Sequence, residues 1–95
     1  MRIRVIQSGG VAGLSRESVV DTGALPPGAR DELERKVEAL GLFDLPARMT
    51  TRFPDVIQYR IHIEHRGQAR EVLVDDQSAS GELLAVVAEI LGDAP

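Results

Sequence analysis

Few side chains in this sequence could carry acid–base or metal chemistry. Its two histidines, His62 and His65, lie in a stretch that alternates like a β-strand, where their odd spacing places them on opposite faces. That arrangement is poor for joint metal binding. If the strand folds back so that His62 faces Glu71, the pair is typical of polar cross-strand neighbours rather than of a catalytic dyad. No nucleophile with a neighbouring base stands out, so the sequence does not indicate an enzyme.

Three further stretches could bind ions. Asp75-Asp76 could hold a cation, although an aspartate pair before a helix is typical of a turn and cap. The glycine-rich run Ser8–Gly13 lacks a following Lys-Ser/Thr and precedes a predicted strand, so it does not match a phosphate-binding loop. Arg48 and Arg52 could hold a carboxylate or phosphate, or lie in a solvated loop. We predict no metal site and no cofactor.

Length and composition limit the remaining function classes. The 95 residues are expected to form a single domain, residues 1–95, and the absence of cysteine excludes disulfides and cysteine-based metal sites. A formal charge of −4 argues against a nucleic-acid partner. Met1–Gln7 shows no export signal, which predicts a cytoplasmic protein. The longest apolar segment, Leu83–Leu91, is too short to span a membrane, so no membrane partner is expected.

The strongest structural signal is a predicted β-hairpin over residues 56–75. Apolar and polar residues alternate on its first arm, as in a strand with one buried face. The apolar ones are Ile57, Tyr59, Ile61 and Ile63. If residues 66–67 form the turn, Ile61 lies opposite Val72 and the apolar residues of both arms share one face. An isolated hairpin is only marginally stable, so the rest of the chain must cover this face.

The first half of the chain predicts a second hairpin. Its first strand stops at the glycine-rich loop Ser8–Leu14, and its second strand is expected at Glu17–Thr22. Val11 and Leu14 are apolar residues on that loop. They are either tucked under the sheet or presented to a partner.

Each hairpin is followed by a predicted helix. The first helix ends at Gly41, and the second begins at a cap formed by Ser78 or Ser80 and ends at Gly92. Their apolar faces are Ala29, Leu33, Val37 and Leu40 in the first helix, and Leu83, Leu84, Val86, Val87, Ile90 and Leu91 in the second. The order ββαββα predicts an α+β fold, a four-stranded antiparallel sheet with two helices packed on one face.

The connection over residues 43–55 has neither helical nor strand periodicity. It is long for so small a domain, and such connections tend to be functional or disordered. Its apolar residues are Leu45, Met49 and Phe53. They either cover the core or face a partner.

The stretch Gln7–Leu14 resembles the emfourin family, small bacterial protein inhibitors of thermolysin-like zinc metallopeptidases such as protealysin. The likeness extends over nearly the whole chain, and the order of the motifs carries it. They are a strand ending in Ser8-Gly9-Gly10, Asp21 after the second strand, Leu42-Phe43 closing the helix, Pro54-Asp55 opening the hairpin, Tyr59 within it, and Asp75 followed by Leu83-Leu84. One departure is Val11, since the family's loop typically has an aromatic residue at this position. This difference bears on the potency of inhibition or on the choice of target enzyme.

The resemblance implies an inhibitor whose surface loops occlude the active-site cleft of a thermolysin-like (protealysin-like) metallopeptidase. The implied contact residues are Ser8, Gly9, Gly10, Val11, Ala12, Gly13 and Leu14 on one loop, and Leu45, Met49, Phe53 and Asp55 on the other. Apolar side chains would fill the enzyme's main specificity pocket, which favours bulky apolar groups, and a carboxylate such as Asp55 could approach the zinc. Loops of fixed shape suit this role because a preordered loop loses less entropy on binding.

The competing interpretation is a non-enzymatic regulatory module that binds a partner through the exposed face of the sheet. That face is predicted to display Arg60, His62, Glu64 and Glu71. Substitutions there would then abolish partner binding, whereas substitutions in the loops would not.

Overall fold

The computed structural model describes residues 1–10, 13 and 15–93. Within them the chain forms five β-strands and two α-helices. The strands are β1 (Arg2–Gly9), β2 (Arg16–Asp21), β3 (Arg48–Met49), β4 (Ile57–His65) and β5 (Gln68–Asp75), and the helices are α1 (Pro27–Leu40) and α2 (Gly81–Leu91). Single 3₁₀ turns follow β2 and α1, at Thr22–Ala24 and Leu42–Asp44.

The strands form one mixed sheet in the order β2-β1-β4-β5-β3. All neighbouring pairs are antiparallel except β3 and β5, which are parallel. The α+β class is therefore confirmed, but the prediction of four antiparallel strands is wrong. The missed strand is two residues long, too short for alternation to reveal, and it pairs with a strand more than twenty residues further along the chain.

The β4–β5 hairpin has the predicted register. Ile61 pairs with Val72 and Tyr59 with Val74. Both turn residues, at positions 66 and 67, have positive φ angles of 52° and 76°, the backbone of a two-residue turn whose twist matches the strands it joins. The turn therefore fixes which residues of both arms face the core.

Both helices end where glycine allows the backbone to turn. Gly41 (φ 64°) and Gly92 (φ 82°) follow the last residues of α1 and α2 in the left-handed conformation. The α2 cap is Ser80, whose Oγ accepts a hydrogen bond from the Leu83 amide at 3.1 Å. Leu33 and Val37 are buried on α1, as predicted, whereas Ala29 in its first turn is exposed and Leu40 is half-buried.

The core lies between the helices and one face of the sheet. Its strand residues come from β1, β4 and β5, and α2 supplies more buried residues than α1, as its broader apolar stripe predicted. They are Ile3, Val5, Ile61, Ile63, Val72 and Val74 from the sheet, and Leu33, Val37, Leu83, Val86, Val87 and Ile90 from the helices, with Leu42 after α1. In the described residues, no helix covers the other face of the sheet. The loops lie at the ends of the strands that they connect.

Candidate functional site

The glycine-rich loop and the last part of the connection that leads into β4 lie at one end of the sheet, called here the loop end. Gly9, at the end of β1, pairs with Ile57, at the start of β4. One residue further out, the Gly10 amide donates a hydrogen bond to the Val56 carbonyl oxygen at 3.1 Å. The glycine-rich loop therefore begins directly beside the segment that leads into β4.

The first loop, residues 8–14, is only partly described. Within it the Gly13 amide donates to the Gly10 carbonyl oxygen at 3.2 Å. Val11, Ala12 and Leu14, which were predicted to contact a target, lie outside the described residues.

An ion pair beside the first loop was not foreseen from sequence. Arg16, at the start of β2, pairs through its guanidinium with both carboxylate oxygens of Asp93, just after α2. Its Nε also donates to Gln7 on β1. The hydrogen bond to Asp93 raises the pKa of Arg16 and, in return, lowers the pKa of Asp93. Through these bonds Arg16 joins β1, β2 and the end of α2 beside the first loop. The ion pair could not be predicted from sequence, because the position of the end of α2 relative to β2 was not known.

The second loop, residues 50–56, carries the most exposed large apolar side chain of the described residues. Phe53 is 64% exposed. The neighbouring Asp55 is also exposed and has a positive φ of 59°, a conformation that is uncommon outside glycine and that aspartate tolerates. Both lie between β3 and β4, so Phe53 and Asp55 are at the same end of the sheet as Ser8, Gly9 and Gly10.

The other two predicted contact residues of this connection are half-buried and pack against the core. Met49 is half-buried at the end of β3 and packs against the core. Leu45 also packs against the core, and its carbonyl oxygen accepts a hydrogen bond from the Arg70 guanidinium. Leu45 therefore lies far from the loop end, because about 16 Å of strand separates its partner Arg70 from Asp75. The alternative that these apolar residues cover the core therefore applies to Leu45 and Met49, and not to Phe53.

A buried carboxylate holds the base of the second loop. Asp75 at the end of β5 is fully buried. Its Oδ2 accepts hydrogen bonds from the amide and the hydroxyl of Thr51, the latter at 2.8 Å, and its Oδ1 accepts from the amides of Gln77 and Ser78 at 3.0 and 2.8 Å. Burial by itself raises the pKa of this carboxyl, but the hydrogen bonds from Thr51 and Ser78 together outweigh it, so the pKa lies well below its usual range.

Asp75-Asp76 was considered from sequence as a cation site or as a turn and cap. The carboxylate of Asp75 is saturated by protein donors, and the Asp76 carboxylate accepts from the Ile57 amide at 3.4 Å. Within the described ranges, no three His, Asp or Glu residues are grouped as they would be around a metal ion. The turn interpretation fits these contacts.

The histidines are placed as their spacing predicted, on opposite faces of β4. His62 pairs in register with Glu71, but its Nε2 lies nearest to Glu64 on its own strand, at 3.4 Å. Glu71 instead faces the Arg60 guanidinium at 3.5 Å. His65, on the core side, lies 3.2 Å from Glu38 of α1. Each histidine is thus paired with a glutamate, His62 on the exposed face of the sheet and His65 beside α1.

The exposed face of the sheet, proposed above as an alternative interaction surface, carries charges of both signs. Arg60, His62, Glu64 and Glu71 all lie on it, as predicted, along with Arg4. Arg4 pairs with Glu17 of β2 at 2.9 Å, and Arg60 with Glu71. These cations and anions neutralise one another within the face.

Together these features define a small α+β scaffold that holds two loops at one end of its sheet. No helix among the residues described is long and apolar enough to cross a membrane. The family model named Emfourin matches residues 5–91, nearly the whole chain, and the protein belongs to the emfourin family. The resemblance seen in the sequence is thereby confirmed, and membership indicates a protease-inhibitor role, which is generally non-enzymatic. Searches of curated proteins and of solved structures gave no match.

Proposed function

We propose that this protein inhibits a thermolysin-like zinc metallopeptidase by placing its loop end in the active-site cleft. The observation that carries the proposal is the convergence of both loops. The hydrogen bond from Gly10 to Val56 joins them at their bases, so both loops leave the sheet at the same end. Two loops that leave the sheet side by side can enter a cleft together.

The composition of this surface supports the same assignment. Phe53 is 64% exposed and lies on the loop between β3 and β4. A large apolar group at the centre of a binding surface is the typical anchor of a protein interface, because its burial on binding releases much apolar area from water. An enzyme pocket that accepts bulky apolar side chains is the complementary surface.

The anchoring of the loops favours an inhibitor over a substrate. Thr51 is tied to Asp75 at one end of the second loop, and Ile57 to Asp76 at the other. A loop whose ends are held to the core loses less conformational entropy on binding than a free peptide. It also resists the extension that a protease needs for cleavage.

Titration of a purified thermolysin-like peptidase with this protein tests the proposal, with hydrolysis of a small peptide as the readout. We expect activity to fall linearly to near zero at a molar ratio close to one when the enzyme concentration is well above the dissociation constant. A serine protease assayed in parallel is the control and should keep its activity. Full metallopeptidase activity at micromolar protein would contradict the proposal.

A further inference from the structure

The second loop is attached to the fold through two adjacent residues, Asp75 and Asp76. On one side Thr51 donates twice to the Asp75 carboxylate. On the other, the Asp76 amide donates to the Ile57 carbonyl oxygen at 2.9 Å, and its carboxylate accepts from the Ile57 amide. The dipeptide thus holds both ends of the segment 52–56, and the chain between them is short.

A fully buried carboxylate in this position calls for an explanation. Removing a charge from water is costly, and hydrogen bonds recover that cost only when the carboxylate is well satisfied. Asp75, at the end of β5, meets this condition by binding donors from two other segments. Two of its donors come from Thr51 in the second loop and two from Gln77 and Ser78 in the turn before α2. The Ser78 hydroxyl in turn donates to the carbonyl oxygen of Met49, just before the loop.

The carboxylate at the centre of this network is not part of the exposed surface that the proposed function uses. Asp75 is fully buried, whereas Phe53 is 64% exposed. That carboxylate therefore cannot contact a target directly. It can act on target binding only by fixing the loop that carries Phe53.

We propose that Asp75 and Asp76 are positioning residues, which hold the second loop in its binding conformation before the target arrives and so set the position of Phe53. The inference rests on the proposed function, because it concerns how the same loop binds. A loop that is ordered in advance avoids the entropy cost of ordering on association. Loss of the Thr51–Asp75 attachment should therefore weaken binding although Phe53 itself is unchanged.

Substitution of the threonine tests this with little disturbance of the core. Thr51→Val keeps the side-chain shape and removes the hydroxyl donor to Asp75, and Thr51→Ser retains that donor. The matched control is Thr50→Val, the same change at the preceding residue, whose hydroxyl accepts from the exposed Arg48 side chain at 3.3 Å.

Two measurements are made on each variant. The first is the ¹⁵N heteronuclear NOE and amide exchange of residues 52, 53, 55 and 56 in the free protein. The second is the inhibition constant against a purified thermolysin-like peptidase, determined well below the Tm so that every variant is fully folded. We expect Thr51→Val to lower the NOE of these amides and to raise the inhibition constant about tenfold or more. Thr51→Ser and Thr50→Val should match the parent in both.

The outcomes separate the two proposals. Unchanged NOE and exchange in Thr51→Val would overturn the positioning role, and so would a loosened loop with an unchanged inhibition constant. A variant that was merely less stable would inhibit like the parent under these conditions. Failure of the proposed function would be seen in the parent itself, as an absence of inhibition, and would overturn the positioning role for target binding as well.

Discussion

A Cβ atom added to Gly9 would lie 2.6 Å from the carbonyl oxygen of Val56. The two backbones approach this closely where the first loop leaves β1 beside the segment entering β4. Gly9 also has a φ of +89°, a region that other L-residues rarely adopt. Glycine at this position is therefore required both by the contact and by the backbone conformation, and the contact is part of the loop end.

Gly9→Ala should destabilise the fold and displace the first loop from the second. Backbone strain alone costs about 1–3 kcal/mol, and relief of the clash with Val56 requires further movement. We expect a fall in Tm of about 10 °C or more, measured by thermal denaturation. Gly28→Ala is the control, since a Cβ there meets no atom within 4 Å and alanine favours the helix. Equal Tm values for Gly9→Ala and the parent would show that the loops are not held as closely as described.

The buried carboxylate of Asp75 predicts a pH dependence of stability. Its pKa in the folded protein lies below the ordinary value of 3.8, so below about pH 4 the unfolded chain binds more protons than the folded one. The stabilisation is present above that ordinary value and is lost as the pH falls through the folded-state pKa. Glu34 and Asp93 also have lowered pKa values and contribute with the same sign.

Asp75→Asn isolates the contribution of this residue. Urea denaturation between pH 2 and 7 should give a lower stability at pH 7 and a shallower loss of stability below pH 4 than in the parent. Asp31→Asn, which removes an exposed carboxylate of α1, serves as the control for loss of one negative charge. A curve for Asp75→Asn that runs parallel to that of the parent would contradict the assigned role.

The parts of the fold that could be predicted from the sequence are those determined by local pattern. Alternation from Ile57 to Ile63 and a two-residue turn fix the register of the β4–β5 hairpin, because a shift by one residue would expose its apolar face. Glycines after α1 and α2 mark the helix ends for a similarly local reason. The β3 strand could not be predicted, since Arg48 and Met49 owe their conformation to pairing with β5 and not to their own pattern.

From the sequence, the two stretches that lie at the loop end could be singled out, but not which of their side chains are exposed. Leu45, Met49 and Phe53 are equivalent in sequence as apolar residues of an irregular connection. Only the packing of the chain shows that the first two cover the core while Phe53 is exposed. In the same way, Asp75 has the sequence context of an ordinary turn residue, and its burial becomes evident only when Thr51 is placed beside it.

A second buried polar residue links the start of the chain to α1. The hydroxyl of Thr22, which is fully buried, donates to Glu34 Oε2 at 2.6 Å and lies 3.0 Å from the Met1 carbonyl oxygen. Thr22→Val should lower the Tm by roughly 5 °C, because the valine methyl group replaces a satisfied buried donor. The same hydrogen bond is the main cause of the lowered pKa of Glu34, so that pKa should rise toward its ordinary value in an NMR titration. An unchanged Glu34 titration would show that the hydrogen bond does not form in solution.

The two exposed large apolar residues of the described chain provide a matched test of which surface binds the peptidase. Phe53 (64% exposed) is on the second loop, and Val19 (42% exposed) is on β2, where its pairing with Arg4 places it on the exposed face of the sheet. Phe53→Asp should weaken inhibition by well over tenfold, because it replaces an apolar anchor with a charge that must be desolvated on binding. Val19→Asp should inhibit like the parent. Inhibition constants from the peptide assay and circular dichroism spectra of both variants give the comparison. The reverse result, with loss of inhibition in Val19→Asp alone, would transfer the binding surface to the sheet face and favour the interaction-module alternative.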